Sequence, residues 1–120
     1  MVDTVLYNKK NIDYVAKKII DNKIDLGAVV CFKILPKKIW DLPKYKTINL
    51  HYSLLYSYGG PNPVEWQLYN GEKYTGASVH YISKEIDKGA LIAQNKIKMP
   101  QFKFILNVYN KLEPVGKKQC

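Results

Sequence analysis

Arginine is absent from this 120-residue chain: all 19 basic residues are lysines, set against 10 acidic residues for a net charge of +9. Two-pronged readout of phosphates and guanines favours the planar guanidinium fork, so its absence counts against sequence-specific nucleic-acid recognition. The lysines are scattered from Lys9 to Lys118, with none between Lys46 and Lys73. A salt-sensitive, non-discriminating polyanion binder, helped by ten tyrosines, remains a secondary reading. Cysteine is scarce too. Cys31 sits in an apolar run and Cys120 is the last residue, which gives neither a metal spacing nor a disulfide framework. Cys31 reads as a small buried hydrophobe, and the reducing cytoplasm is the compartment expected. No apolar run is long enough to span a bilayer, and Met1-Val2-Asp3-Thr4 lacks the basic and apolar regions of a signal peptide, so no membrane association is expected.

What is present is an ordinary globular composition, 47% hydrophobic and 24% charged, which excludes a disordered chain and fits one domain. Residues 11–21 carry Ile12, Val15, Ala16, Ile19 and Ile20 as a helical stripe, with Asn11 as N-cap and Asn22 as stop. Residues 27–32 form a short apolar run of the kind found in a central parallel strand. Pro36 opens a short helix through Leu42, and residues 47–51 read as a strand. Asn62 as cap, Pro63 at the first position and Glu65 at the capping-box position mark a further helix, ended by Asn70-Gly71. Residues 74–82 and 91–99 read as strands, and 102–112 as a helix through Phe104, Ile105, Val108, Tyr109 and Leu112. Alternating helices and strands predict an α/β fold with a mostly parallel sheet flanked by helices.

The stretch INLHYSLLYSYGG, residues 48–60, holds the most chemistry. Strand side chains alternate faces, so Asn49 and His51 point the same way, at the carboxyl end of a strand where open α/β sheets bind ligands. An amide donor beside a titratable base suits a carbonyl under attack. Taken alone, the pair is better read as a polar strand end facing water.

The wider pattern changes that preference. Asn49-x-His51-x-Ser53-Leu54-Leu55, a Gly-rich turn, Asn70-Gly71-Glu72, Gly76-x-Ser78-Val79-His80 and Ile86-Asp87-x-Gly89 occur in order, preceded by Phe32-Lys33-Ile34-Leu35-Pro36. Together, over about residues 24–99, they resemble the folate-dependent formyltransferase family, which includes glycinamide ribonucleotide transformylase, methionyl-tRNA formyltransferase and the sugar N-formyltransferases. The resemblance implies a partial Rossmann-like formyltransferase domain and transfer of a formyl group from formyl-tetrahydrofolate to a primary amine. The acceptor expected is a small molecule, an amino-sugar nucleotide or glycinamide ribonucleotide, or else methionyl-tRNA, the tRNA being less favoured. It assigns catalysis to Asn49, His51 and Asp87, and the folate contact to Phe32, Lys33, Ile34, Leu35, Ile82 and Asp87, with no metal. His80 is read as structural and Ser53 as a brace of the turn, since no nucleophile elbow surrounds it.

Three positions depart from the family pattern: Tyr56 stands where Ser-Leu-Leu is followed by proline, Gly59 where many members carry a basic residue, and Ala90 where an acidic residue is common. The resemblance begins inside the family's catalytic domain. It therefore implies that residues 1–120 are a single domain corresponding to the C-terminal half of that domain, without the preceding βα units. An unpaired sheet edge then predicts self-association into homo-oligomers. The competing reading is a truncated, catalytically silent relative that binds folate or associates with itself.

Overall fold

A computed structural model describes residues 7–30, 34–100 and 104–119. In chain order the elements are α1 (Ile12–Asp21), β1 (Gly27–Val30), α2 (Lys37–Trp40), β2 (Thr47–His51), α3 (Pro63–Tyr69), β3 (Tyr74–Tyr81), β4 (Leu91–Lys98) and α4 (Ile105–Gln119). The strands form one sheet in the order β1-β2-β3-β4.

The fold is α/β with helices flanking the sheet, but the mostly parallel sheet expected from the sequence is not what forms. Only β1 and β2 are parallel; β2–β3 and β3–β4 are antiparallel. The path of the chain accounts for the difference. The link between β2 and β3, residues 52–73, is long enough for a parallel crossover but does not carry the chain back to the starting end of β2. Much of the link from β2 is loop, α3 packs against α4 rather than crossing the sheet, and the chain re-enters from the end at which it left. Residues 82–90 then turn β3 directly into β4, which can only be antiparallel.

Residues 75–80 of β3 are buried on both faces, as befits a strand flanked by β2 and β4. One face of the sheet carries the apolar core: Leu50, Ala77 and Val79 pack with Val64 of α3, Met99, and Val108 and Leu112 of α4. The helix α4 runs past Pro114, beyond the end expected at Leu112. Gly116 explains why it stays on the sheet, because a Cβ there would lie 2.7 Å from Leu50 Cδ2. Two expected caps are not made by side chains. Asn11 Oδ1 accepts from the Asn8 backbone N–H instead, and Asn62 has a left-handed backbone (φ 54°) in place of the extended one usual at a cap. Glu65 Oε2 is correspondingly buried without a hydrogen-bond partner.

Leu112 is fully buried at the centre of this core. Leu112→Ala is expected to cost about 2–5 kcal/mol through lost burial and the cavity left behind. The urea midpoint, followed by circular dichroism, measures it; a loss below 1 kcal/mol would mean that α4 is not docked on the sheet as described.

Candidate active site

The opposite face of the sheet is polar, and its side chains follow from register. Asn49 of β2 pairs with His80 of β3, and His51 pairs with Ser78, so two polar i, i+2 pairs from adjacent antiparallel strands meet on one face. Two loops cover that face: residues 52–62, which leave β2, and residues 82–90, which join β3 to β4.

The first loop is fastened by buried hydroxyls. Ser78 Oγ donates to the Ser53 carbonyl (2.6 Å) and accepts from the Leu55 backbone N–H (3.1 Å). Gln94 Nε2 donates to the Leu55 carbonyl and to Ser78 Oγ, both at 2.9 Å. Ser53 Oγ donates to the Ser57 carbonyl. Ser53 thus braces the turn. Further along, Tyr58 adopts φ 56°, an outlier for a bulky residue that its surroundings must enforce. Its phenol supplies the restraint, donating to Glu72 Oε1 (2.6 Å) while Asn70 Nδ2 donates to it (3.0 Å). The Glu72 carboxylate accepting that hydrogen bond raises the pKa of the phenol. The Tyr58 carbonyl then lies 2.7 Å from His51 Nε2. A carbonyl can only accept, so this nitrogen carries a hydrogen and Nδ1 is the side turned to the site.

The second loop delivers Asp87. Its backbone is left-handed (φ 53°), and its side chain is only 9% exposed. Gly89, two residues on, is seated so closely that a Cβ would lie 1.7 Å from the Tyr81 carbonyl oxygen. Asp87 Oδ2 accepts from the Gly60 backbone N–H (2.7 Å) and stands 3.5 Å from His51 Nδ1, while Oδ1 stands 3.3 Å from His80 Nε2. His80 Nδ1 donates to the Tyr81 carbonyl (2.9 Å), and its Nε2 also lies 3.2 Å from Asn49 Nδ2. When His80 is neutral, Nε2 accepts from the Asn49 amide; when protonated, it donates to Asp87. Burial resists ionisation of Asp87. The His80 hydrogen bond, the Gly60 N–H and the charges of His51 and His80 outweigh it and hold the carboxyl below the ordinary carboxylate range.

Asn49, His51 and Asp87 therefore meet in one cluster, with His80 linking the amide to the carboxylate. His80, expected to be structural, holds the Asn49 amide and stands beside Asp87. The signal that finds it is the second polar i, i+2 pair, Ser78 and His80, in an otherwise apolar strand. The residues expected to contact folate are dispersed. Phe32 and Lys33 lie outside the described residues, and Ile34 is 76% exposed. Leu35 lines an apolar cavity of about 260 Å³ together with Tyr7, Val15, Ala28, Val29, Val30 and Ile39. Ile82 and Asp87 are not part of its lining; the Ile82 backbone N–H instead donates to the Thr47 carbonyl.

The family model described as formyl transferase matches residues 6–119. The chain belongs to the formyl transferase family. That match is to the family's N-terminal domain and extends well to either side of the motif blocks. It lends no support to placing the chain in the C-terminal half of a catalytic domain, an expectation that rested on those blocks alone. Among relatives, the methionyl-tRNA formyltransferase of Azobacteroides pseudotrichonymphae is 39% identical over 94 residues, covering 78% of this chain and 29% of the relative. That of Flavobacterium johnsoniae is 44% identical over 73 residues, covering 61% of this chain and 23% of the relative. The chain thus spans less than a third of the length of these formyl transferases. Among solved structures, phosphoribosylglycinamide formyltransferase from Anaplasma phagocytophilum superposes with a TM-score of 0.84 at 27% identity, over 94% of this chain and 56% of that one. HypX from Aquifex aeolicus in complex with tetrahydrofolic acid shares the fold, with a TM-score of 0.73 at 23% identity, over 90% of this chain and 19% of that one. No helix among the described residues is long and apolar enough to cross a membrane.

The lowered pKa of Asp87 has a definite sign in stability. A carboxyl whose folded pKa lies below its unfolded value of about 3.9 stabilises the fold above that value, and the contribution is lost as pH falls through the folded pKa. Urea midpoints measured from pH 6 down to pH 2 should therefore fall more steeply below pH 4 for the unmodified chain than for Asp87→Asn. Parallel curves would mean that the carboxylate is not held as described.

Proposed function

We propose that this chain is a formyltransferase catalytic unit that moves a formyl group from formyl-tetrahydrofolate to a primary amine, with Asn49, His51 and Asp87 as its catalytic residues. The observation that carries the proposal is the meeting of His51, His80 and Asp87 from three separate stretches of chain around one nearly buried carboxylate. The donor supplies the activated formyl carbon. The remaining work is positioning, charge stabilisation and proton handling, and it falls to side chains.

Asn49 has two amide hydrogens. One is directed at His80 Nε2, which fixes the plane of the amide and leaves the other for an oxygen on which negative charge develops. His51 is held through Nε2 by the Tyr58 carbonyl, so its Nδ1 side stays beside Asp87 and carries positive charge when protonated. Asp87, kept ionised, is the acceptor for a proton leaving the amine, directly or through water. For the donor, the apolar cavity beside Leu35 suits a flat ring system. At about 260 Å³ it is smaller than the roughly 300–1,000 Å³ of whole-ligand sites, so the rest of the donor would extend outside it. HypX, solved with tetrahydrofolic acid, supports a folate donor for this fold. The acceptor class is a primary amine. The sequence relatives favour methionyl-tRNA and the structural ones glycinamide ribonucleotide.

Formyl transfer to a panel holding methionyl-tRNA, glycinamide ribonucleotide and an amino-sugar nucleotide tests the proposal. Asn49→Ala, His51→Ala and Asp87→Ala are each expected to lower kcat roughly 10²–10⁴-fold with little change in fold. Full rates in all three variants of an active chain would remove the assigned site.

The edge of β1, which has no neighbouring strand among the described residues, favours a second reading, a catalytically silent folate-binding relative that associates through it. Leu26 and Val30 are exposed along that edge. Titration with a folate analogue, with mass in solution followed against concentration, separates the two. Saturable binding and a rising mass without turnover support the silent relative, and robust turnover by the 120-residue chain dismisses it.

A further inference from the structure

We infer that Tyr56 is a positioning residue for Asp87, acting as a strap that ties the loop of residues 82–90 to the loop of residues 52–62 across the top of the site. The Tyr56 hydroxyl donates to the Gly89 carbonyl at 3.0 Å, a contact between segments 33 residues apart. Tyrosine at this position is one of the chain's own departures: the motif match leads to a proline after Ser53-Leu54-Leu55, and proline has no hydroxyl to donate. The strap rests on the proposed formyl-transfer site, since Asp87 is the group it would serve.

Three features of the acceptor end make the bond consequential. Gly89 is buried and wedged against the Tyr81 backbone, so its carbonyl is a fixed point rather than a mobile one. Asp87 lies two residues away in a left-handed conformation that a non-glycine residue keeps only when its surroundings enforce it. A second tie between the two loops is the Gly60 N–H on Asp87 Oδ2, which grips the carboxylate itself but not the backbone behind it. Tyr56 grips that backbone. Tyr56 is 48% exposed, and the Lys88 ammonium stands 6.0 Å from its ring centroid, so the side chain reaches over the loop from its solvent side. At its other end Tyr56 follows Leu55, whose N–H and C=O are bound by Ser78 and Gln94. The strap therefore runs from the sheet through the first loop to the second.

Loss of the hydroxyl should free the 52–62 loop from its fixed point at Gly89, drawing the Gly60 N–H off Asp87 Oδ2 and removing a contact that favours the ionised carboxyl. Tyr56→Phe removes that hydrogen bond and little else, and Tyr56→Pro restores the family residue without restoring the bond. The direct readout is the titration of the Asp87 side-chain carboxyl by ¹³C NMR, assigned by its disappearance in Asp87→Asn. In the unmodified chain the midpoint should lie below about 3.9. In both Tyr56 variants it should move up, by roughly half a pH unit, while the amide spectrum of β2 and β3 stays in place. Unchanged midpoints in Tyr56→Phe would overturn the strap. The titration needs no turnover, so it decides the strap even if the chain transfers no formyl group. If the chain is active, Tyr56→Phe should lower kcat with the donor KM unchanged. Unaltered kcat together with an unaltered midpoint would reject the strap and leave the proposed function standing.

Discussion

A carboxylate withdrawn from water must be paired, and the active-site half of this fold is organised by that requirement at Asp87. An isolated ionised carboxyl in such a position would take up a proton instead of keeping its charge. Asp87 keeps it because three separate parts of the chain converge on its two oxygens: His51 from β2, His80 from β3 and the Gly60 amide from the loop between β2 and α3. Each supplier is itself restrained. His51 is held by the Tyr58 carbonyl, Tyr58 by Glu72 and Asn70, and His80 by the Tyr81 carbonyl. The charge is thus maintained by a second ring of contacts that never touch it.

The sheet separates two duties. Its apolar face, with Leu50, Ala77 and Val79 under α3 and α4, provides the burial that stabilises the domain. Its polar face carries Asn49, His51, Ser78 and His80, whose hydrogen bonds order the loops above the sheet. Alternation along β2 and β3 lets both duties run through the same ten or so residues of backbone. A core substitution therefore lowers stability with the polar face intact, as long as it does not disturb strand register.

The strand at Thr47–His51 was legible because a short β run bounded by lysines and a turn leaves few alternatives, and period-two alternation alone puts Asn49 and His51 on one face. Asp87 was not legible from its own surroundings, where Glu85-Ile86-Asp87-Lys88 looks like any polar loop; the motif resemblance alone singled it out. The polar pair Ser78 and His80 is legible in β3, but what His80 touches depends on which strand lies beside β3 and in which direction. The expectation of a parallel sheet failed for a related reason: the order helix, strand, helix, strand was right, and the path of the chain between β2 and β3 decided otherwise. The run of α4 past Pro114 is a tertiary effect of the same kind, since the close seat of Gly116 on Leu50 lies in distant sequence.

Gly89 has a consequence that reaches past its own position. Its backbone is pressed against Tyr81 so tightly that no other residue fits, which makes it a fixed datum from which the loop is measured. Asp87 sits two residues before that datum, and its reach to both imidazoles is set by the length of chain between them. The interval works as a ruler. Substitution within it is a local matter, whereas adding or removing one residue would leave the glycine seated and carry the carboxylate out of register with both histidines at once.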